Sequence, residues 1–235
     1  MLFMARMPRL AVAGQPHLVV QRGGGARQVF VDDTDRRAYL AAIAELAQGG
    51  SVTVHAYVLL DDAVMLLVTP REPADLGRFM QRVSRRYVPA FHRRHGSSGA
   101  VWAGRFQAAA LDPERYLLPC TLMIEQAPVC AGKVALANDW PWSSAAHHVG
   151  RGAVPWLREH ATWWRLGNTP FEREARHEAE LQRMLEGDRV AELLAAARGG
   201  WPLGSPAFVA AVGQTSDRPV RARPRGRPRR DTPAG

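Results

Sequence analysis

Two positions on one predicted strand, Ala63 and Met65, bear directly on the chemistry that this chain could perform. Residues 55–70 predict two strands joined by a tight turn at Asp61 and Asp62. Side chains at positions 63 and 65 leave the same face of a strand, because alternate residues point the same way. Two histidines at this spacing would form half of a metal site. Alanine has no donor atom, however, and a thioether is a poor ligand for hard cations.

The histidine pairs elsewhere in the chain give weaker signals for a metal site. His92 and His95 have a helix-compatible spacing but stand among arginines, where interface or solvent histidines are expected. His147 and His148 follow a loop and have no obvious partner ligand. The chain has two cysteines, which predict neither a four-ligand zinc site nor a disulfide framework. A reducing cytoplasm is the simple interpretation.

The net charge indicates an acidic partner. The 235 residues carry a formal charge of +9, and Lys133 is the only lysine among them. Such an arginine excess favours nucleic acid and, less strongly, a membrane surface. No apolar run reaches the ~20 residues that a membrane helix needs. We therefore expect a cytoplasmic, nucleoid-associated protein that binds DNA, has no membrane partner, and is a monomer or a homodimer.

A predicted helix beginning near Pro73 carries much of the positive charge. An apolar stripe runs from Leu76 to Phe91, and no acid lies between the first and the last arginine of its other faces. These arginines are Arg78, Arg82, Arg85, Arg86, Arg93 and Arg94. A solvated face is the usual explanation of such a run, but the missing counter-charges favour a nucleic-acid-facing surface.

Three further arginines stand in segments that suit contact with DNA. Arg22 and Arg27 flank a triple glycine that follows a strand, which predicts either a phosphate-contacting loop or a flexible turn. Arg105 lies between Trp102 and Phe106 in a predicted extended segment. This segment could stack on a single strand, or it could be an edge strand that packs its aromatic side chains.

The C-terminal tail carries a separate signal. Residues 216–235 contain seven arginines and two aspartates, so more than half of the net charge lies there. The sequence around Arg225 and Arg227 resembles an AT-hook core, which can lie in the narrow minor groove of A·T-rich duplex DNA. A generic polycationic tail is the alternative. Its composition predicts a chain segment that is disordered when free.

The order of predicted elements is strand, helix, strand, strand, helix, strand, helix. This order fits an α+β ferredoxin-like sandwich with an antiparallel sheet. After about residue 150 the chain changes character, with helical patterns expected over 156–166, 172–197 and 202–212. We predict a DNA-binding domain over residues 5–150, a helical C-terminal extension over 151–212, and a basic tail over 213–235.

Ten short motifs in the same chain order give the first 150 residues a family resemblance. They are His55-Ala-Tyr-Val-Leu, Leu66-Leu-Val-Thr-Pro70, Arg78-Phe-Met-Gln, Arg85-Arg-Tyr87, Trp102-Ala-Gly-Arg-Phe106, Tyr116-Leu-Leu, Ile124-Glu, Pro128-Val, Ala131-Gly132 and Trp140-Pro-Trp-Ser-Ser144, with Pro202-Leu-Gly-Ser-Pro-Ala-Phe-Val209 near the C-terminal end. Together they resemble the REP-associated tyrosine transposases, of the His-hydrophobic-His superfamily. The resemblance implies a ferredoxin-like sandwich that binds single-stranded hairpins of palindromic repeats. It also implies strand cleavage through a phosphotyrosine, with Mg²⁺ or Mn²⁺ held by two histidines.

This chain departs from the family pattern where the chemistry occurs. The two metal-ligand positions fall at Ala63 and Met65, the nucleophilic tyrosine falls at Met123, and a possible further ligand position falls at Ala127. None of these side chains can replace the family residue. We therefore expect no bound cofactor and predict a catalytically inactive DNA-binding relative.

An active DNA-transposition enzyme that uses replacement residues is the alternative. Asp61 and Asp62 could hold a metal from the turn, although turn residues of this type are common. Tyr116 lies two helical turns before Met123, ~10 Å away, which is far for a replacement nucleophile. A protein-interaction module formed by residues 156–197 is a third class that the sequence leaves open.

Overall fold

The structure, a computed structural model, describes residues 9–216 and 218–221. Its four strands are β1 (His17–Arg22), β2 (Val52–Leu59), β3 (Ala63–Pro70) and β4 (Gln107–Ala110). Its α-helices are α1 (Asp33–Gln48), α2 (Pro73–His95), α3 (Pro113–Cys130), α4 (Ala145–His148), α5 (Pro170–Gln182), α6 (Gly187–Gly199) and α7 (Pro206–Gln214). Short 3-10 helices span Gly24–Ala26, Ala137–Asp139 and Ala161–Leu166.

The four strands form one antiparallel sheet in the order β2-β3-β1-β4. This is the strand order of a ferredoxin-like sandwich, so the predicted α+β class is confirmed. In the register of β1 with β3, Val20 lies opposite Met65 and Arg22 lies opposite Ala63. Residues directly opposite in an antiparallel pair point to the same face. Arg22 therefore shares a sheet face with the two positions of interest on β3.

One face of the sheet packs against α1 and α2. Phe30, Tyr39 and Tyr87 pack together in this layer in edge-to-face and tilted arrangements, with ring centroids 5.2–5.5 Å apart. The hydroxyl of Tyr87 donates to the carbonyl of Val29, which ties α2 to the chain that precedes α1. Asp32 caps α1 by accepting hydrogen bonds from the next turn, as its acidic start predicts.

The opposite face of the sheet packs against α3 and α6. Side chains at alternate positions of β1 and β3, including Leu18 and Leu67, form one apolar cluster with Ile124 of α3 and Leu193 of α6. Helix α6 thus covers a sheet face although it lies far along the chain from the strands. The expected site positions on β3 lie under these two helices.

Several sequence expectations about elements were wrong. Of the extended segment 101–107, only Gln107 belongs to the fourth strand, whereas Trp102 and Phe106 are buried, as the alternative of packed aromatic side chains predicted. The expected helix over 156–166 is only the 3-10 helix Ala161–Leu166. The single helical pattern over 172–197 is two helices, α5 and α6, because helical structure is interrupted between Gln182 and Gly187.

None of the helices within the described residues is both long and apolar enough to span a lipid bilayer.

Candidate functional site

Ala63 and Met65 lie at one end of the sheet, on the face that α3 covers. Ala63 is fully buried and Met65 is 6% exposed. Helix α3 places Met123 and Ala127, one turn apart, against the same face, and both side chains are buried. Met65, Met123 and Ala127 line one apolar pocket of about 280 Å³. The structure therefore brings the sequence-predicted positions of strand and helix together.

The pocket does not fit the Mg²⁺ or Mn²⁺ that the family resemblance implies. Such cations prefer oxygen ligands, and the neighbouring side chains are mostly aliphatic or thioether groups. Gln126 is the lining side chain with an oxygen atom, and its groups are already engaged. Its Nε2 donates to the carbonyls of Leu181 and Arg183 at 3.0 and 2.8 Å, and its Oε1 accepts from the amide of Leu185 at 3.0 Å.

Asp61, the first candidate replacement ligand, is engaged in two ion pairs. Its Oδ1 accepts from Arg36 Nη2 at 2.5 Å, and its Oδ2 accepts from Lys133 Nζ at 2.6 Å. The backbone of the turn is also fixed, because the carbonyl of Asp62 accepts from the amide of Gly23 at 2.7 Å. Both carboxylate oxygens of Asp61 thus serve structural contacts with α1 and with the loop after α3.

Tyr116, the candidate replacement nucleophile, is held by α6. Its hydroxyl donates to Glu192 Oε1 at 2.8 Å, and the guanidinium of Arg189 lies 4.8 Å from the centre of its ring. Partial burial and the hydrogen bond to Glu192 raise the pKa of Tyr116 above its usual value. A nucleophilic phenolate is disfavoured by this arrangement.

Arg22, at the end of β1, and Arg27 and Arg105, on two neighbouring loops, are exposed at the same end of the sheet. The amide of Ala103 donates to the carbonyl of Arg22 at 2.9 Å, and Gly23 forms an isolated β-bridge with Trp102. A Cβ atom at Gly23 would lie 2.2 Å from the carbonyl oxygen of Arg27. The first glycine of the triplet is therefore explained by the packing of its own loop, and it needs no ligand as a reason.

The expectation that the arginines of α2 lack counter-charges was wrong for three of the six arginines. Arg86 pairs with Glu45 of α1 at 2.6 Å, and Arg78 lies 3.8 Å from Asp75. Arg94 pairs with Asp32 and Asp35 at the start of α1. These acids lie on or next to α1 or at the start of α2, outside the arginine run that suggested an unbalanced face.

Part of the basic face of α2 remains uncompensated. Arg82, Arg85 and Arg93 are exposed and form no ion pair with any residue that the structure describes. Arg82 and Arg85 line a surface pocket of about 410 Å³ together with Arg78 and Gln81. Three of the predicted DNA contacts on this helix are thus available to an anionic partner. The predicted contacts of the tail, Arg225 and Arg227, lie outside the described residues.

A cluster that the sequence did not predict lies behind α3. Glu125 Oε1 lies 2.5 Å from His148 Nδ1 and accepts from Ser144 Oγ at 2.5 Å, and Glu125 Oε2 lies 2.7 Å from His177 Nε2. Burial alone would raise the pKa of Glu125, but the two imidazoles and their hydrogen bonds lower it well below its usual value. The expectation that His148 has no obvious partner was wrong, because its partner lies 23 residues earlier on α3.

The remaining histidine pair has structural partners. His95 Nε2 lies 2.9 Å from Asp35 Oδ2, and the two ring nitrogens of His92 lie 2.9 Å from Ser97 Oγ and from the carbonyl of Gly99. These contacts join the end of α2 to the start of α1 and to the following turn. They give the pair no common ligand position.

Comparison with known proteins supports the fold. No family model matches the chain, and no curated protein matches it. The chain is similar to the solved structure of a REP-associated tyrosine transposase bound to a REP hairpin, with a TM-score of 0.53 and 20% identity over 67% of this chain and 92% of that chain. A transposase structure from Deinococcus radiodurans gives a TM-score of 0.36 and 16% identity over 55% of this chain and 98% of that chain, a similarity that is too low to inform the fold. In its fold, the chain therefore resembles a REP-associated tyrosine transposase, as its sequence motifs predicted.

Proposed function

We propose that this protein binds single-stranded DNA hairpins or palindromic repeats and does not cleave them. The support for DNA binding is threefold. The chain has the fold of a transposase that was solved with a REP hairpin, its net charge is +9, and exposed arginines surround one end of its sheet. Such arginines contact phosphates and supply the salt-dependent part of the affinity for nucleic acid.

The observation that carries the inactive half of the proposal is the packing of Ala63, Met65, Met123 and Ala127. Met65, Met123 and Ala127 pack in one apolar cluster, and Ala63 is buried two residues before Met65 on β3. The positions where strand ligands and a helix nucleophile would stand are therefore apolar. Thioether and methyl groups can neither coordinate Mg²⁺ nor form a phosphoester. The candidate replacements do not supply the missing groups, since Asp61 pairs with two cations and Tyr116 with Glu192.

We place the DNA contact at Arg22, Arg27 and Arg105. The exposed arginines of α2 that form no ion pair with described residues, Arg82, Arg85 and Arg93, form a second contact. Arg22 shares a sheet face with Ala63, so a strand held at this end would pass the position where the family chemistry is expected. The tail residues Arg225 and Arg227 would add contacts to A·T-rich duplex in its minor groove. In this proposal, residues 5–150 form the DNA-binding domain. Residues 151–212 form its helical C-terminal extension, and residues 213–235 form a basic tail.

A hairpin-binding assay tests the proposal. The purified full chain is titrated into a fluorescent single-stranded hairpin of a palindromic repeat, with an unstructured strand of the same composition as control. The proposal expects tighter binding to the hairpin and a steep loss of affinity with salt. Binding to neither probe at moderate salt would contradict the DNA-binding half, and release of a shortened labelled strand with Mn²⁺ present would contradict the inactive half.

A further inference from the structure

A buried Glu–His–His cluster, formed by Glu125, His148 and His177, joins three helices behind the candidate site. Glu125 comes from α3, His148 from α4 and His177 from α5. The side chains of Glu125 and His177 are completely buried, and that of His148 is 4% exposed. The carboxylate is the common partner, because each of its oxygens faces one imidazole nitrogen, at 2.5 and 2.7 Å.

The donor types of the cluster suit a transition-metal ion, and the two nitrogen–oxygen contacts of 2.5 and 2.7 Å would lengthen to admit it. One ligand atom from each of the three residues lies within 4.8 Å of the other two. Two imidazole nitrogens and a carboxylate oxygen form a donor set that suits Zn²⁺, whereas Mg²⁺ and Ca²⁺ prefer oxygen ligands alone. The cluster therefore differs in both place and chemistry from the family's two-histidine strand site.

The surroundings of the cluster fix its donors in place. The indole of Trp163 packs over both imidazoles, with ring centroids 4.6 Å from His148 and 4.7 Å from His177. Ser144 Oγ donates to Glu125 and accepts from the amide of Tyr57 at 3.1 Å, which anchors the carboxylate to β2. Hydrogen-bonded neighbours of this kind orient metal ligands and raise metal affinity.

We propose that the Glu–His–His cluster is a zinc site with three protein ligands that fastens the C-terminal helices to the sheet domain. On binding, Zn²⁺ forms bonds to the two imidazole nitrogens and to the carboxylate, which replace the two nitrogen–carboxylate hydrogen bonds. A charged imidazole releases the proton of its ligating nitrogen to solvent, and a neutral imidazole carries its single proton on the other ring nitrogen. No electron transfer is involved, and the charge of the carboxylate partly offsets that of the cation. The site needs no DNA and rests on different residues from the proposed nucleic-acid contact.

Metal content and thermal stability of the full chain test the proposal. Protein expressed with added zinc, purified and dialysed, is expected to retain about one zinc ion per chain. Its thermal midpoint is expected to fall when EDTA removes the metal and to recover with Zn²⁺ alone. Co²⁺ added to the zinc-free wild type is expected to give the visible absorption of a nitrogen- and oxygen-ligated ion.

Matched variants separate zinc binding from a hydrogen-bonded network. His148→Gln and His177→Gln are each expected to lower zinc affinity more than tenfold, while the control His147→Gln, at the adjacent half-buried histidine, leaves zinc content unchanged. Far-UV circular dichroism establishes that each variant is folded. Wild-type protein that retains no zinc, and shows neither a Zn²⁺-dependent midpoint nor a Co²⁺ spectrum, would overturn the proposal and identify a network without metal. Hairpin binding is measured separately, so either proposal can fail alone.

Discussion

At the scale of single residues, Ala63 and Met65 fit the packing of a buried strand. Both are buried in the core, and Met65 belongs to one apolar cluster with Met123 and Ala127 of α3. The alternation of side chains on a strand made their shared face predictable from sequence. The family resemblance added Met123 and Ala127. The contacts of Asp61 and Tyr116 were not predictable, because Arg36, Lys133 and Glu192 are remote along the chain.

A residue-scale prediction concerns Arg22, the arginine opposite Ala63 on β1. Arg22→Ala is expected to weaken hairpin binding about tenfold, as for the loss of one charge-assisted hydrogen bond of ~1.5 kcal/mol. The slope of log affinity against log salt concentration is negative, and its magnitude should decrease by about 0.7 for one lost phosphate contact on a single strand. Fluorescence anisotropy at several salt concentrations measures both quantities. Arg176→Ala, at an exposed arginine of α5, is the control, and an equal loss in both variants would contradict the placement of the contact.

A second residue-scale prediction concerns His17, which is fully buried in β1. Its Nε2 accepts from the amide of Val12 at 3.2 Å, and its Nδ1 lies 2.7 Å from the carbonyl of Gln15, so the neutral ring is favoured. Burial lowers the pKa of His17 from 6.5 to about 4. The stabilising effect is complete above pH 6.5. As pH falls towards 4 the unfolded state takes up a proton that the folded state does not, so the unfolding free energy falls.

The expected loss of unfolding free energy from His17 is at most about 3 kcal/mol. An NMR titration of the imidazole of His17 measures its pKa directly, and urea unfolding across the same pH range measures the stability change. A titration midpoint near 6.5 for His17 would contradict the description of a buried, neutral ring.

At the scale of elements, the order of strands and helices along the chain follows from local signals, whereas the cover of the second sheet face does not. Asp32 at the start of α1, and Asp112 and Pro113 at the start of α3, are local signals of this kind. The pairing of α2 with the acids at the start of α1, and the position of α6 on the sheet, depend on contacts between distant segments. Periodicity along one segment carries no information about such partners, which explains why the counter-charges of α2 were missed.

An element-scale prediction concerns the turn between β2 and β3. Asp61→Asn removes the charge that pairs with Arg36, whose side chain is only 9% exposed, and with Lys133. We expect the unfolding free energy to fall by about 1–3 kcal/mol, because a largely buried guanidinium loses the closer of its two carboxylate partners, Asp61 and Asp33. Urea unfolding measures the change. Asp62→Asn is the matched control, since the carboxylate of Asp62 makes no hydrogen bond or ion pair with the described residues, and equal effects of both substitutions would contradict the structural role of Asp61.

At the scale of the whole molecule, the transposase-like fold and the proposed loss of strand chemistry are separate properties. The sheet order, the layer of α1 and α2, and the position of α3 retain the frame. The exposed arginines and the net charge of +9 are the basis of the proposed DNA binding. Function is set by the residues at a site and not by the fold that carries them.

The most direct test of the proposed separation is the covalent and cleavage outcome with a hairpin substrate. A labelled palindromic hairpin is incubated with the wild-type chain and Mn²⁺, and the products are separated on denaturing gels that resolve shortened strands and protein–DNA adducts. A variant with Ala63→His, Met65→His and Met123→Tyr serves as a comparison that restores the family residues. We expect the wild type to bind the hairpin and to yield neither a shortened strand nor a protein–DNA adduct. A shortened strand or a covalent adduct formed by the wild type would contradict it.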